Sequence, residues 1–162
     1  MRDLLALKVI AATPRMFAAE PHGPLADAME RGLAVPEPVD AGESIAFSVA
    51  GTIGTYQGLI ALRESGGAGS RITDEALLES QRWLAQDEGL FVEPSSATAV
   101  AAALQLRQQG KLAPDDRVVL VLTSGGLKDP DPLRAASALP LVTDDLGALT
   151  ATLKQVYDLA VE

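Results

Sequence analysis

Apolar residues along this chain come in two alternating patterns: short continuous runs bounded by proline or glycine, and longer stretches at helical spacing. The first predicts β-strands and the second amphipathic α-helices. Arg15 to Pro21 is a short apolar run closed by proline, and Pro24 to Gly32 follows as a helix with glycine at its end. Leu33 to Ser44 carries Pro36, Pro38 and Gly42 among acids, the composition of a surface connection. Helical spacing returns from Gly54 to Ser65 through Tyr56, Leu59, Ile60 and Leu62, and Gly66-Gly67 stops it. Thr73 then offers an N-cap, with Asp74 and Glu75 placed to complement the dipole of a helix that runs to Gly89.

Leu90 to Pro94 is a strand-like link into Ser95-Ser96, either of which can cap the alanine-rich helix that continues to Gly110. From Arg117 to Thr123 the residues are apolar on both alternate faces, which predicts a parallel strand covered by helices on each side. A proline-rich segment from Lys128 to Pro140 precedes Thr143-Asp144-Asp145 and a final helix through Leu146, Leu149, Leu153, Val156 and Leu159. This order predicts an α/β three-layer domain with a mostly parallel sheet. The apolar pattern Leu4-Leu5-Ala6-Leu7-Val9-Ile10 needs a neighbouring sheet although no strand precedes it, so the chain is expected to begin in mid-fold.

Charge narrows the partners. With 13 Lys and Arg against 22 Asp and Glu, the formal net charge is −9, and no basic cluster offsets it, which argues against nucleic acid. The absence of cysteine removes disulfides, thiolate metal sites and thiol nucleophiles, and fits a cytoplasmic location. The longest apolar stretches, Ser96 to Leu106 and Arg117 to Leu122, fall short of the roughly 20 residues a membrane helix requires. No membrane partner and no export signal is expected.

Three stretches are candidates for chemistry. In Thr123-Ser124-Gly125-Gly126-Leu127-Lys128-Asp129-Pro130, a hydroxyl at the end of an apolar strand meets two glycines, a setting for a planar heterocycle with one nitrogen to satisfy. The same residues also read as a tight turn leaving a strand. In Glu93-Pro94-Ser95-Ser96-Ala97, an acid meets a helix N-terminus, where it can also serve simply to stabilise that end. Ser44 to Gly51, with Ala46 and Phe47, is an uncharged run that reads as an ordinary core strand unless it lines a site. His22, alone of its kind, excludes histidine triads and multi-histidine metal sites. The acidic pairs Asp115-Asp116 and Asp144-Asp145 read as solvated acids, and Trp83 and Tyr157 as packing residues on helix faces.

Taken together and in this order, four stretches resemble the threonine synthase family of pyridoxal-phosphate enzymes, the group called fold type II: Ala61 to Gly67, Thr73 to Glu75, Glu88 to Ala97, and Leu122 to Pro130. The resemblance runs from about Pro14 to Pro130. It implies that residues 1–162 are a C-terminal portion of a cofactor-binding large domain, incomplete relative to the full fold type II enzyme. It also implies that Thr123, with Ser124 beside it, holds the pyridine nitrogen of pyridoxal 5'-phosphate, that Glu93 lies near the cofactor's edge, and that Ala46 and Phe47 wall the ring. A neutral hydroxyl at the ring nitrogen favours elimination or replacement at the side chain over transamination.

The chain departs from that family's pattern in two ways. A Ser-Phe-Lys-Asp type motif and a glycine-rich phosphate loop are absent, and Lys8, Lys111, Lys128 and Lys154 lack the required context. Val49 to Thr55 stands where the family shows an Arg-Ile-Gly-Asn-Pro type segment, which leaves a threonine dehydratase-like lyase open. The expectation is therefore no catalytic lysine in this chain and no activity alone. An amino acid or its phosphate ester is the expected substrate of the complete enzyme, and a missing N-terminal portion or self-association is expected to complete the fold. The alternative is a non-catalytic binding module that kept half of the fold.

Overall fold

The computed structural model describes residues 1–129 and 144–159 of the chain. Two units are present, Met1–Pro132 and Leu133–Glu162. In the first, β1 (Phe17–Glu20) and β2 (Ala68–Arg71) form a two-stranded parallel sheet, with Ala18 opposite Gly69 and Ala19 opposite Ser70. Between them come α2 (Pro24–Glu30) and α3 (Tyr56–Ser65); α1 (Arg2–Ala6) precedes the sheet, and α4 (Asp74–Asp87) and α5 (Pro94–Gln108) follow it. The apolar residues of α1 remain outside the core, with Leu4 38% and Leu5 41% exposed.

β1 and the four helices after α1 lie where the apolar patterns place them, whereas β2 carries the poor strand composition Ala-Gly-Ser-Arg. Its small residues follow from how closely the layers approach. A Cβ on Gly67 would lie 1.6 Å from the Met16 carbonyl oxygen, and one on Gly69 2.6 Å from the Ala26 backbone. Side chains alternate across a sheet, so Gly69 faces α2 while Ser70, and Ala19 beside it, face the core that α5 builds with Ala97, Val100 and Ala101. Helix, sheet and helix are thereby stacked as an α/β sandwich.

Helix starts follow the capping rules. Thr55 accepts a hydrogen bond from Gly58 N at 3.0 Å, and Thr73 one from Ala76 N at 3.3 Å. Gly66 closes α3 at φ +67°, in the left-handed region that glycine enters without strain. The start of α5 differs from expectation: Glu93 is the N-cap, without a side-chain cap bond, and Pro94 occupies the first turn. Ser95 and Ser96 lie inside the helix, and their hydroxyls bond to other segments. Gln81 is fully buried on α4, and its Nε2 donates to the Val92 carbonyl at 2.7 Å, tying α4 to the residues that lead into α5.

Two expected strands are absent among the described residues. Ser44 to Gly51 folds as a loop with a 3-10 turn at Phe47–Val49, because its polar groups have partners elsewhere: Asp74 accepts from Ser44 Oγ at 2.8 Å and from Ile45 N at 3.1 Å. Arg117 to Thr123 has no regular secondary structure: it makes no backbone hydrogen bond to any described residue, and Val119 is 88% exposed. Its apolar residues have a strand's composition without a neighbouring strand edge to pair with. The proline-rich segment beyond Asp129, including Pro130 and Thr143, lies outside the described residues.

In the second unit, α6 (Leu146–Tyr157) is capped by Asp145, whose Oδ1 accepts from Ala148 N at 2.7 Å. Trp83 and Tyr157, expected to pack, are 42% and 50% exposed. No helix among the described residues is long and apolar enough to cross a membrane.

Candidate cofactor site

The candidate site forms where the N-terminus of α5 meets the residues that follow the apolar segment Arg117 to Leu122. Val92 and Gly125 make an isolated antiparallel bridge, Glu93 N donates to the Ser124 carbonyl at 3.2 Å, and Gly126 N donates to the Phe91 carbonyl at 3.0 Å. Gly126 lies against the Phe91 ring, 2.6 Å from where its own Cβ would sit, so only a residue without a side chain permits this approach. These contacts bring Thr123 and Ser124 beside the first turn of α5.

Hydroxyls converge there. Ser96, 2% exposed, accepts from Ser124 N at 2.9 Å, and its Oγ lies 3.2 Å from Thr123 Oγ1. Ser95 Oγ accepts from Ser48 N at 3.3 Å, which draws the Phe47–Val49 turn to the same helix end. Thr123 is exposed and Ser124 half-buried, and the Ser124 Oγ has no hydrogen-bond partner among the described residues. Glu93 is buried at 8% exposure, with its carbonyl accepting from Ser96 N at 3.0 Å and Ala97 N at 3.1 Å. Of the two wall residues, Ala46 is fully buried in the core, whereas Phe47 is 67% exposed.

The five residues singled out from the sequence therefore belong to one neighbourhood: Glu93, Thr123 and Ser124 are joined through Ser96 and backbone bonds, and the Ala46–Phe47 loop is held by Asp74 and Ser95. Ser44, Ser95 and Ser96 lie in candidate stretches, but their long-range partners are visible only in the structure. No local signal marks them, because each partner lies 27 to 47 residues away. Other candidates have structural partners: Asp116 binds Arg15, and the Ala113 N–H holds its carboxyl below the usual range. No group of three or more acids or histidines is arranged to hold a metal among the described residues.

This arrangement fits one end of a pyridoxal ring. An exposed threonine hydroxyl with spare hydrogen-bonding capacity can meet a ring nitrogen, and the orphaned Ser124 Oγ adds an unused polar atom beside it. The sequence holds no Ser-x-Lys motif, and its glycine-dense stretch Gly66-Gly67-Ala68-Gly69 leads into β2 rather than to a helix N-terminus.

The α/β architecture with its small parallel sheet matches that of solved fold type II pyridoxal-phosphate enzymes. The L-serine ammonia-lyase of Rhizomucor miehei superimposes with a TM-score of 0.59 at 22% identity, over 81% of this chain and 43% of that one. Maize serine racemase does so with a TM-score of 0.56 at 22% identity, over 94% and 42%. A sequence profile of pyridoxal-phosphate dependent enzymes matches residues 4–124, and the chain belongs to that family. It is similar to threonine synthase of Methanocaldococcus jannaschii, 33% identical over 153 residues, and to threonine synthase of Methanosarcina acetivorans, 32% identical over 147. Those matches cover 91% and 88% of this chain but 38% and 36% of the relatives, so the chain spans under half of their length.

Proposed function

We propose that this chain supplies the ring-nitrogen side of a pyridoxal 5'-phosphate site in a threonine synthase-like enzyme acting on an amino acid or its phosphate ester. On this reading it is a C-terminal portion of the large domain, and another segment or polypeptide brings the lysine and the phosphate loop. The observation that carries the proposal is the convergence of Thr123, Ser124, Ser96 and Glu93 at the first turn of α5, with Thr123 left open outward.

Each residue has a task in that site. Thr123 meets the ring nitrogen, Glu93 borders the ring's edge, and the exposed Phe47 covers one face with Ala46 anchoring it from the core. When bound, the cofactor supplies the electron sink for breaking bonds at the amino acid; a neutral hydroxyl at its nitrogen leaves that sink weaker than a carboxylate would, favouring elimination or replacement at the side chain. With no lysine in the required context, the chain alone is inactive on this reading.

The test mixes the full chain with a polypeptide carrying the Ser-x-Lys motif and glycine-rich loop of a threonine synthase relative. Visible absorbance of protein-bound pyridoxal phosphate should arise only in the mixture, and should weaken with Thr123→Val. A soluble mixture that stays colourless sinks the proposal. The exposed apolar residues Val119 and Val121 favour a second reading, a non-catalytic module that self-associates through this segment. A defined oligomer without affinity for the cofactor is its signature.

A further inference from the structure

We infer that the groove between α4 and α5 is a binding site for a small organic ammonium, a protonated amine that carries an apolar group. The groove shares no residue with the site at Thr123, so the inference is independent of the cofactor reading. On α4, Ala76, Glu79 and Trp83 follow one another at helical spacing, and on α5 Leu104 and Gln105 stand three and four residues after Ala101, so each set lies along one face of its helix. The two faces border one cavity of about 630 Å³, a volume in the range of small-molecule sites.

Its floor is apolar, with Ala101 4% exposed and Ala76 packed against the core. Trp83 and Leu104 border it and remain 42% and 48% exposed, so an apolar group seated against them leaves water. The indole ring adds a surface that attracts cations. Among the polar groups of the lining, the unmatched ones are acceptors. Glu79 forms no ion pair among the described residues, whereas Arg71 is neutralised: its Nη1 donates to Glu30 at 2.8 Å and its Nη2 to Asp27 at 3.4 Å. Gln105 Oε1 is shut from water without a partner among the described residues, which leaves acceptor capacity unused beside the cleft. An ammonium brings both donors and positive charge to this set. An alcohol lacks the charge, and a carboxylate meets Glu79 with like charge. The formal net charge of −9 favours the approach of a cation as well.

Trp83 is the only tryptophan of the chain, so its fluorescence reads the cleft directly. The full chain is titrated at neutral pH with n-hexylammonium, and with 1-hexanol and hexanoate as its neutral and anionic counterparts. Hexylammonium should shift the Trp83 emission to the blue in a saturable way and bind about tenfold more tightly than hexanol, and hexanoate should give no saturable shift. Glu79→Gln should weaken hexylammonium by about fivefold and leave hexanol unchanged. Leu104→Ala should weaken both by about fivefold. Both side chains are exposed, so neither change is expected to unfold the chain. Glu43→Gln, at an exposed acid outside the cleft, should alter neither titration.

Equal affinity for hexylammonium and hexanol overturns the choice of a cationic ligand, and an equal loss on Glu43→Gln and Glu79→Gln shows attraction to the charge of the whole chain rather than a site. No saturable response to any of the three overturns the site itself. A chain that sediments as a dimer with Trp83 shielded from acrylamide places a second copy in the groove and overturns the inference too. None of these outcomes bears on Thr123.

Discussion

Two stretches of backbone make opposite use of their composition. β2, Ala68-Gly69-Ser70-Arg71, has almost nothing that favours a strand, yet it pairs with β1 over its full length. Val118 to Leu122 has the richest strand composition in the chain, yet it pairs with nothing among the described residues and leaves Val119 88% exposed. A strand is therefore defined by the edge it meets. β2 meets β1 because Gly67, just before it, and Gly69, within it, let Met16 and Ala26 come within contact distance, while among the described residues the second stretch has no backbone partner and hydrogen bonds begin just beyond it, at Thr123 to Gly126.

Substitutions in the two stretches test this contrast. Gly69→Val forces side-chain atoms into the Ala26 backbone and is expected to cost about 3 kcal/mol or more, read from urea unfolding followed by Trp83 fluorescence. A cost under about 1 kcal/mol would show that β2 is not seated against α2. Thr73→Ala removes the cap of the helix that leaves β2 and should cost about 1 kcal/mol in the same assay.

Val119→Thr should change stability by no more than about 0.5 kcal/mol and leave particle size unchanged in light scattering. A larger loss, or a change of size, would mean that a second copy covers this segment in solution.

The smallest effect is at Glu20, the last residue of β1. Its carboxyl is pushed above the ordinary glutamate range by burial, opposed by the Leu25 and Ala26 N–H groups and by Arg71. A raised value means that the folded state binds the proton more tightly, so the charged form carries a penalty that is absent below the ordinary range and grows as pH rises through the raised value. Glu20→Gln should then be at least as stable as the wild type at neutral pH, with the difference shrinking as pH falls. Lower stability of Glu20→Gln at neutral pH would show that the charged bond to Leu25 N outweighs desolvation.

Legibility differed between the fold and the site for a related reason. The helices were readable because caps and stops are local: Thr73 with Asp74 and Glu75, and Gly66 after Ser65, announce themselves within one turn. Thr123, Glu93 and Phe47 were readable as candidates through residue types at element ends and a family likeness. Their junction was not, because Ser96 looks like any N-terminal serine until its hydroxyl is seen spanning to residues 27 and 28 positions away.

Residue order alone located most of the helices, through caps and stops such as Thr73 and Gly66, and marked a hydroxyl-glycine turn after an apolar run, because these signals act between neighbours a few bonds apart. The tertiary structure decided that a glycine- and alanine-rich tetrapeptide is a strand, that a valine-rich one is not, and that a buried serine joins α5 to Thr123. Pairing and burial depend on which surfaces meet, and the chain brings distant segments together only after its local choices are made.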